Sequence, residues 1–160
     1  MESADYFNRR GDMKYTMKKY EEAIEDYSEA IRINPNNALF FYNRGCAKRN
    51  LKKFEEAIED YSAAIKLDSN VAYFFNRRGD AKFTLKKYEE AMEDYSCAIK
   101  INPTNALYFY NRGLSEHQLG RYEDAIDDFS VAIEINPIDA NYFNSRGDAK
   151  YNLKRNEEAI

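Results

Sequence analysis

The sequence predicts an all-α fold in which pairs of short helices repeat along the chain. Five glycines recur at a constant interval of 34 residues, and the sequence around each of them is similar. Within an interval, apolar residues recur every three or four positions, which is the period of an amphipathic helix. A proline ends most intervals and stops the preceding helix. The chain is therefore a tandem array rather than a set of separate domains.

The array forms one domain over residues 1–160. Counted from Ala4, it divides into four full repeats, 4–37, 38–71, 72–105 and 106–139, and a partial fifth, 140–160. We expect residues 156–160 to begin a second helix that they do not complete. Ser69 stands where the other full repeats have a proline, so we expect a looser junction after the second repeat.

The first helix of each repeat contains the repeated glycine. Glycine inside a helix costs about 1 kcal/mol relative to alanine, so its recurrence predicts the close approach of a second helix. Alanines follow each glycine at fixed intervals, as Ala23 and Ala30 follow Gly11. We expect the recurring phenylalanines, such as Phe7, to pack against these small residues.

Charges mark the boundary between the two helices of a repeat. Lys18 and Lys19 close the predicted first helix, and Glu21 and Glu22 open the second, so that each pair complements the helix dipole. Basic residues consequently concentrate in the first helices and loops, and acidic residues in the second helices. A basic groove for acidic peptides is the alternative interpretation, and we favour the dipole.

An arginine precedes each repeated glycine, and in the full repeats an aspartate follows it 16 residues later on the second helix. This spacing predicts an ion pair within each repeat, with a structural role rather than a role in binding a partner. The predicted pairs are Arg10 with Asp26, Arg44 with Asp60, Arg78 with Asp94, and Arg112 with Asp128.

Composition disfavours several classes of function. A net charge of −4 argues against a sequence-independent nucleic-acid binder. The chain has neither a long apolar run nor an apolar signal core, which predicts a cytoplasmic protein without membrane contact. Cys46, Cys97 and the single His117 lack metal-ligand spacing, so we expect no metal and no cofactor. Because no set of titratable groups converges, we expect no enzymatic activity.

Taken together, these residues resemble the tetratricopeptide repeat family. The resemblance rests on the period, on an aromatic residue before each glycine, on Ala23 and Ala30 with Tyr27 between them, and on the terminal Pro35. It covers residues 4–160, with phenylalanine where the family often has tryptophan. Asn156 departs from the pattern, since the earlier repeats have an aromatic residue at that position.

The resemblance implies an α-solenoid of antiparallel helix pairs that stack into a right-handed superhelix. It also implies a concave groove, lined by the first helices, that binds an extended peptide or a partner protein. The implied function is therefore that of a scaffold for protein–protein interaction.

The predicted groove is the outer stripe of the first helices, at fixed positions before and after each glycine. Asparagines in this stripe can donate to and accept from a peptide backbone, or they can bond to neighbouring helices instead. Aromatic residues beside them are candidate apolar anchors. The candidate peptide-binding residues are Asn8, Arg9, Asp12, Tyr42, Asn43, Asn76, Arg77, Asp80, Tyr110, Asn111 and Asn144.

Members of this family that bind chaperone tails hold the terminal carboxylate with a clamp of two lysines, two asparagines and an arginine. Asn43 and Arg77 match this clamp, whereas Asn8, Asp12 and Tyr73 replace its other members. The cations for a terminal carboxylate are therefore largely absent, and we expect a different ligand.

A second period of 68 residues overlies the first. The first, third and fifth repeats share the pattern Asn-x-Arg-Gly-Asp, which begins at Asn8, Asn76 and Asn144. We favour duplication of a repeat pair as its origin, and a partner with a matching repeat is the alternative. A different function, end-to-end association of copies into a structural array, also stays open.

Overall fold

The computed structural model describes the backbone of residues 2–158 and the side chains of residues 2–155. This part of the chain contains nine α-helices and no strand, which confirms the predicted all-α fold. The helices span Ala4–Thr16 (α1), Tyr20–Ile33 (α2), Ala38–Asn50 (α3), Phe54–Leu67 (α4), Ala72–Thr84 (α5), Tyr88–Ile101 (α6), Ala106–Gln118 (α7), Tyr122–Ile135 (α8) and Ala140–Glu158 (α9).

Each helix packs against its neighbours in sequence, so the array is a solenoid. Because three residues join α1 to α2, the two helices of a repeat run antiparallel. The odd-numbered helices also contact one another across repeats, as α1 contacts α3 and α5 contacts α7. No comparable contact joins two even-numbered helices in the described part of the chain. The stack is therefore curved, with the odd-numbered helices on its inner side.

The turn within a repeat depends on one residue with a left-handed backbone. Lys18, Lys52 and Lys86 have φ values of 61°, 60° and 60°, and Gly120 takes this position in the fourth repeat with φ of 74°. The first helix ends at Thr16, before Lys18. Lys18 and Lys19 therefore lie just beyond the helix end, whereas Glu21 and Glu22 lie in the first turn of α2, as the dipole interpretation predicts.

The junctions between repeats share one turn. The side chain of the residue that directly follows each second helix accepts a hydrogen bond from the backbone N–H two residues later, as Asn34 does from Asn36 at 3.2 Å. Asp68 accepts from Asn70 at 3.0 Å. The Asp68 carboxylate therefore closes this turn without a proline at position 69, and the looser junction stays a prediction.

The repeated glycines admit the second helix to close contact. A Cβ atom on Gly45 would lie 2.8 Å from Cε1 of Tyr61, and one on Gly79 would lie 2.7 Å from Cε1 of Tyr95. Both rings are buried. The predicted close approach is confirmed, and its partner is an aromatic ring. Phenylalanines pack on alanines as expected, for example Phe7 on Ala30.

In the second, third and fourth repeats, the arginine before the repeated glycine connects three elements. The Nε and Nη2 atoms of Arg44 donate to the two carboxylate oxygens of Asp60 at 2.9 and 2.7 Å. Its Nη1 atom donates at 3.1 Å to Ser28 of the preceding repeat. Lys48 adds a second cation 2.9 Å from Asp60. The predicted ion pair is confirmed, and it also joins neighbouring repeats.

The fourth repeat lacks this second cation. Glu116 occupies the position that Lys14, Lys48 and Lys82 hold in the first three repeats. It is 6% exposed, and its Oε2 atom has no hydrogen-bond partner. Burial, together with the nearby charge of Asp128, raises the pKa of Glu116 from its ordinary value of 4.5 to about 7.

The fifth repeat departs from the prediction. α9 is one continuous helix that ends at Glu158, so residues 156–158 extend the first helix instead of beginning a second. Residues 159–160 lie outside the described part. In the first repeat, Tyr20 opens the second helix and packs edge-on against Tyr15, with ring centroids 5.4 Å apart. Asn156 supplies no such ring, and residues 153–158 are mostly good helix formers.

We predict opposite effects of the same substitution at two glycines. Gly45→Ala lowers the free energy of unfolding by about 1–3 kcal/mol, because the new methyl group overlaps the buried Tyr61 ring. Gly147→Ala, where no atom lies within 4 Å of the added Cβ, leaves stability unchanged or raises it by up to about 1 kcal/mol. Urea denaturation measures both. Equal destabilisation by the two variants contradicts the close-approach account.

We predict that the cost of losing an arginine depends on its partners. Arg78→Gln lowers the free energy of unfolding by about 1–3 kcal/mol, because it leaves buried Asp94 without its bidentate partner and cuts the bond to Ser62. Arg10→Gln costs less, because Arg10 is 38% exposed against 19% for Arg78. Thermal melting of both variants checks the order, and the reverse order contradicts it.

We predict that Glu116→Lys stabilises the protein by about 1–3 kcal/mol at pH 8, because it restores the cation of the earlier repeats. The raised pKa means that the folded state binds more protons than the unfolded state between about pH 4.5 and 7. Glu116 therefore lowers stability as pH rises through this window, and the variant lacks this contribution. Urea titrations at several pH values measure the difference. Identical pH profiles for the variant and the parent contradict the assignment.

Candidate functional site

The candidate site is the concave face. We define it as the stripe of α1, α3, α5, α7 and α9 that lies six, three and two residues before each repeated glycine and one, four and five residues after it. Arg9, Asp12 and Asn144 are exposed there. Asn76 is 3% exposed, and its side-chain oxygen accepts a hydrogen bond from Asn111 within the protein. The remaining sequence-predicted residues are partly exposed: Asn8, Tyr42, Asn43, Arg77, Asp80, Tyr110 and Asn111.

The asparagines form two pairs rather than a continuous ladder. Nδ2 of Asn43 donates to Oδ1 of Asn8 at 3.0 Å, and Nδ2 of Asn111 donates to Oδ1 of Asn76 at 3.0 Å. Each pair joins the first helices of consecutive repeats. The alternative in which these amides bond to a neighbouring helix is therefore the observed one. Asn144 belongs to neither pair.

An aspartate accompanies each asparagine pair. Asp12 accepts from the Tyr27 hydroxyl at 2.8 Å, from Asn43 at 3.3 Å and from Asn8 at 3.2 Å. These donors are neutral, and the burial of Tyr27 together with this hydrogen bond raises the pKa of its hydroxyl above its ordinary value.

Asp80 repeats this arrangement one 68-residue period later. It accepts from the Tyr95 hydroxyl at 3.1 Å and from Asn111 at 3.2 Å. Two guanidinium groups also face it, with Nη1 of Arg77 at 3.1 Å and Nη1 of Arg49 at 3.9 Å. Burial raises the pKa of Asp80, and the two arginines oppose that rise.

Aromatic side chains on the concave face pack against one another. The Tyr42 ring lies 5.0 Å from the Tyr73 ring and 5.1 Å from the Phe74 ring, centroid to centroid. Desolvation raises the pKa of Tyr42 to about 12, so its hydroxyl is protonated at neutral pH. Tyr110 packs on Tyr142 in the same way, with centroids 4.8 Å apart.

Three exposed apolar side chains on the concave face occupy the same position in consecutive repeats. Leu39, Tyr73 and Leu107 are 47%, 42% and 42% exposed. They lie six residues before the glycines of the second, third and fourth repeats. The concave face therefore offers a row of apolar contacts beside a polar, hydrogen-bonded surface.

Sequence reasoning missed several contacts between first helices. Nδ2 of Asn50 donates to the Tyr15 hydroxyl at 2.8 Å. Nδ2 of Asn152 lies 3.2 Å from Nε2 of His117. Both pairs are 35 residues apart, one more than the repeat period, and this offset is the signal that could have identified them.

No group of His, Cys, Asp and Glu side chains within the described residues has an arrangement suited to a metal ion. None of the helices in that part of the chain has the length and apolar character to cross a membrane.

Comparison with known proteins identifies related folds. A search of curated protein sequences finds no significant match. The solved structure of MamA is 25% identical to this chain, with a TM-score of 0.90, covering 98% of this chain and 85% of MamA. The first TPR of Spaghetti (RPAP3), bound to the HSP90 peptide SRMEEVD, is 31% identical with a TM-score of 0.71, covering 73% of this chain and 93% of that one. The structure of YrrB is 18% identical with a TM-score of 0.84, and the similarity covers 99% of this chain and 81% of the YrrB chain. At this identity it shows the fold alone.

Two family models match the sequence. The TPR repeat model matches residues 11–48, 79–119 and 113–154, and the tetratricopeptide repeat model matches residues 38–71. These matches cover most of the chain, and the match at residues 38–71 contains the pair of α3 and α4. The chain therefore belongs to the tetratricopeptide repeat family.

Proposed function

We propose that this protein is a scaffold that binds an extended peptide, or an extended segment of a partner protein, along the concave face. The observation that carries the proposal is the row of Leu39, Tyr73 and Leu107, which are exposed although they are apolar. The row runs across three repeats, so it suits an extended chain rather than a small molecule. The proposed role is binding without catalysis.

The polar surface beside this row supports the proposal. Hydrogen bonds between first helices, such as Asn43 to Asn8 and Asn50 to Tyr15, hold these side chains in place before a ligand arrives. A side chain that is already ordered loses little conformational entropy on binding. The concave face is therefore pre-organised for a ligand that contacts its remaining donors and acceptors.

The chemistry of the concave face argues against a terminal carboxylate as the anchor. The RPAP3 domain, which is similar to this chain, binds the HSP90 peptide SRMEEVD. In this chain, Asp12 stands where the family clamp has an asparagine, and Tyr73 stands where it has a lysine. An aspartate repels a carboxylate, so the proposed ligand is bound by internal segments instead.

End-to-end association of copies is a second candidate. Apolar side chains are exposed on the first and last described helices, namely Met13 on α1 and Phe143 and Tyr151 on α9. Exposed apolar side chains at both ends of an array are suited to contact between copies. Sedimentation at several concentrations tests this candidate, and a monomer throughout contradicts it.

We predict that removing two members of the apolar row weakens peptide binding. Peptides are first selected from a displayed random library against the intact protein, and their affinity is then measured by fluorescence polarisation. The double variant Tyr73→Ser with Leu107→Ser binds the selected peptides at least about tenfold more weakly, because each side chain contributes about 1 kcal/mol or more of apolar contact.

Ile138→Ser is the matched control, because Ile138 is 90% exposed but lies at a repeat junction outside the concave face. It is expected to bind the peptides as the parent does. Unchanged melting of all variants shows that folding is intact. A library that yields no binder, or binders that lose affinity equally in both variants, contradicts the proposed function.

A further inference from the structure

Two equivalent cavities lie on the concave face, one 68-residue period apart. The first, of about 290 Å³, is lined by Asp12, Tyr15, Tyr42, Asn43 and Cys46 among others. The second, of about 260 Å³, is formed around their counterparts Asp80, Phe83, Asn111 and Leu114 together with Arg49. Both are below the size typical of cavities for drug-sized ligands, so each suits a single side chain.

The two cavities differ in how their carboxylate is paired. In the second, the chain's own guanidinium groups occupy the Asp80 carboxylate, with Arg77 at 3.1 Å and Arg49 at 3.9 Å. The contacts of Asp80 therefore show that a carboxylate at this position can pair with guanidinium groups in this fold.

In the first cavity, the equivalent carboxylate has no cation. Asp12 is exposed and accepts only from the neutral groups of Tyr27, Asn43 and Asn8. Among the described residues, no basic side chain lies within 4.0 Å of it. Arg9, the counterpart of Arg77, is exposed and makes no such contact. A carboxylate has more acceptor sites than these three donors use, and its charge is uncompensated.

Resting on the proposed function, we propose that the cavity at Asp12 is a subsite for the ammonium or guanidinium group of a lysine or arginine side chain in the bound peptide. The Asp12 carboxylate accepts charge-assisted hydrogen bonds from that group. The Tyr15 and Tyr42 rings, which line the same cavity, contact the aliphatic stem and attract the cation through their faces. The Asp80 cavity, already neutralised by arginines, does not select for a cation.

The first test uses small probes, so that it depends on the cavity alone. Isotope-labelled protein is titrated at low salt with N-acetyl-arginine methylamide, and with N-acetyl-glutamine methylamide as the neutral probe. We expect the arginine probe to shift the backbone amide signals of Asp12, Tyr15 and Asn43, and the glutamine probe to shift them much less. Low salt is required because an exposed carboxylate is screened.

Asp12→Asn removes the charge and keeps an oxygen that accepts from Tyr27, so the fold is retained. It is expected to weaken binding of the arginine probe about tenfold. Glu25→Gln is the matched control, because it removes the same charge from an exposed position on α2. Equal binding of the two probes, or equal behaviour of the two variants, overturns the subsite. An ion pair between Arg9 and Asp12 in solution would block the subsite and would give equal binding of the two probes.

The second test separates this proposal from the proposed function. Peptides selected on the parent protein are expected to share a basic residue at one position, and peptides selected on Asp12→Asn are expected to lack that preference. Selected peptides without the shared basic residue overturn the subsite and leave the scaffold function standing. If no peptide is selected although the arginine probe binds at Asp12, the scaffold function fails, and the peptide subsite fails with it.

Discussion

The architecture depends on the guanidinium group of one arginine in each repeat. Arg44 illustrates it, because its three nitrogen atoms contact the second helix of its own repeat, through Asp60, and the second helix of the preceding repeat, through Ser28. Stacking of its guanidinium on Phe41, 5.7 Å from the ring centroid, fixes its orientation. In Arg44, Arg78 and Arg112 every guanidinium nitrogen is used within the stack, so these three arginines are unavailable to a ligand, and the concave face is left to other residues.

The concave face that results is ordered by its own hydrogen bonds. Asn8, Asn43 and Asp12 form one polar network, and Asn76, Asn111 and Asp80 form another. In each network, hydrogen bonds between the first helices of consecutive repeats use some of the donors and acceptors and hold the repeats in register. What remains for a partner is the uncompensated charge of Asp12 and the exposed apolar row, and these two features define the chemistry that the protein is proposed to recognise.

Spacing in the sequence was sufficient to predict the helix pairs and the Arg–Asp ion pairs, because both depend on positions that recur with the period. It was not sufficient to predict the asparagine pairs, since the choice between a ligand and a neighbouring helix depends on the distance between first helices. Nor did it predict that α9 is one continuous helix. A turn at this place, as in the first repeat, would need a ring contact like the one between Tyr20 and Tyr15. Asn156 at that position was visible in the sequence, but its effect on the turn depends on packing.

A crystal structure of the protein in complex with a library-selected peptide would show whether the concave face is the binding surface. We predict an extended peptide lying across α3, α5 and α7, in contact with Leu39, Tyr73 and Leu107, with the arginine interactions of each repeat unchanged. A peptide bound to the surface of the even-numbered helices, or a concave face filled by other segments of the same chain, would contradict it.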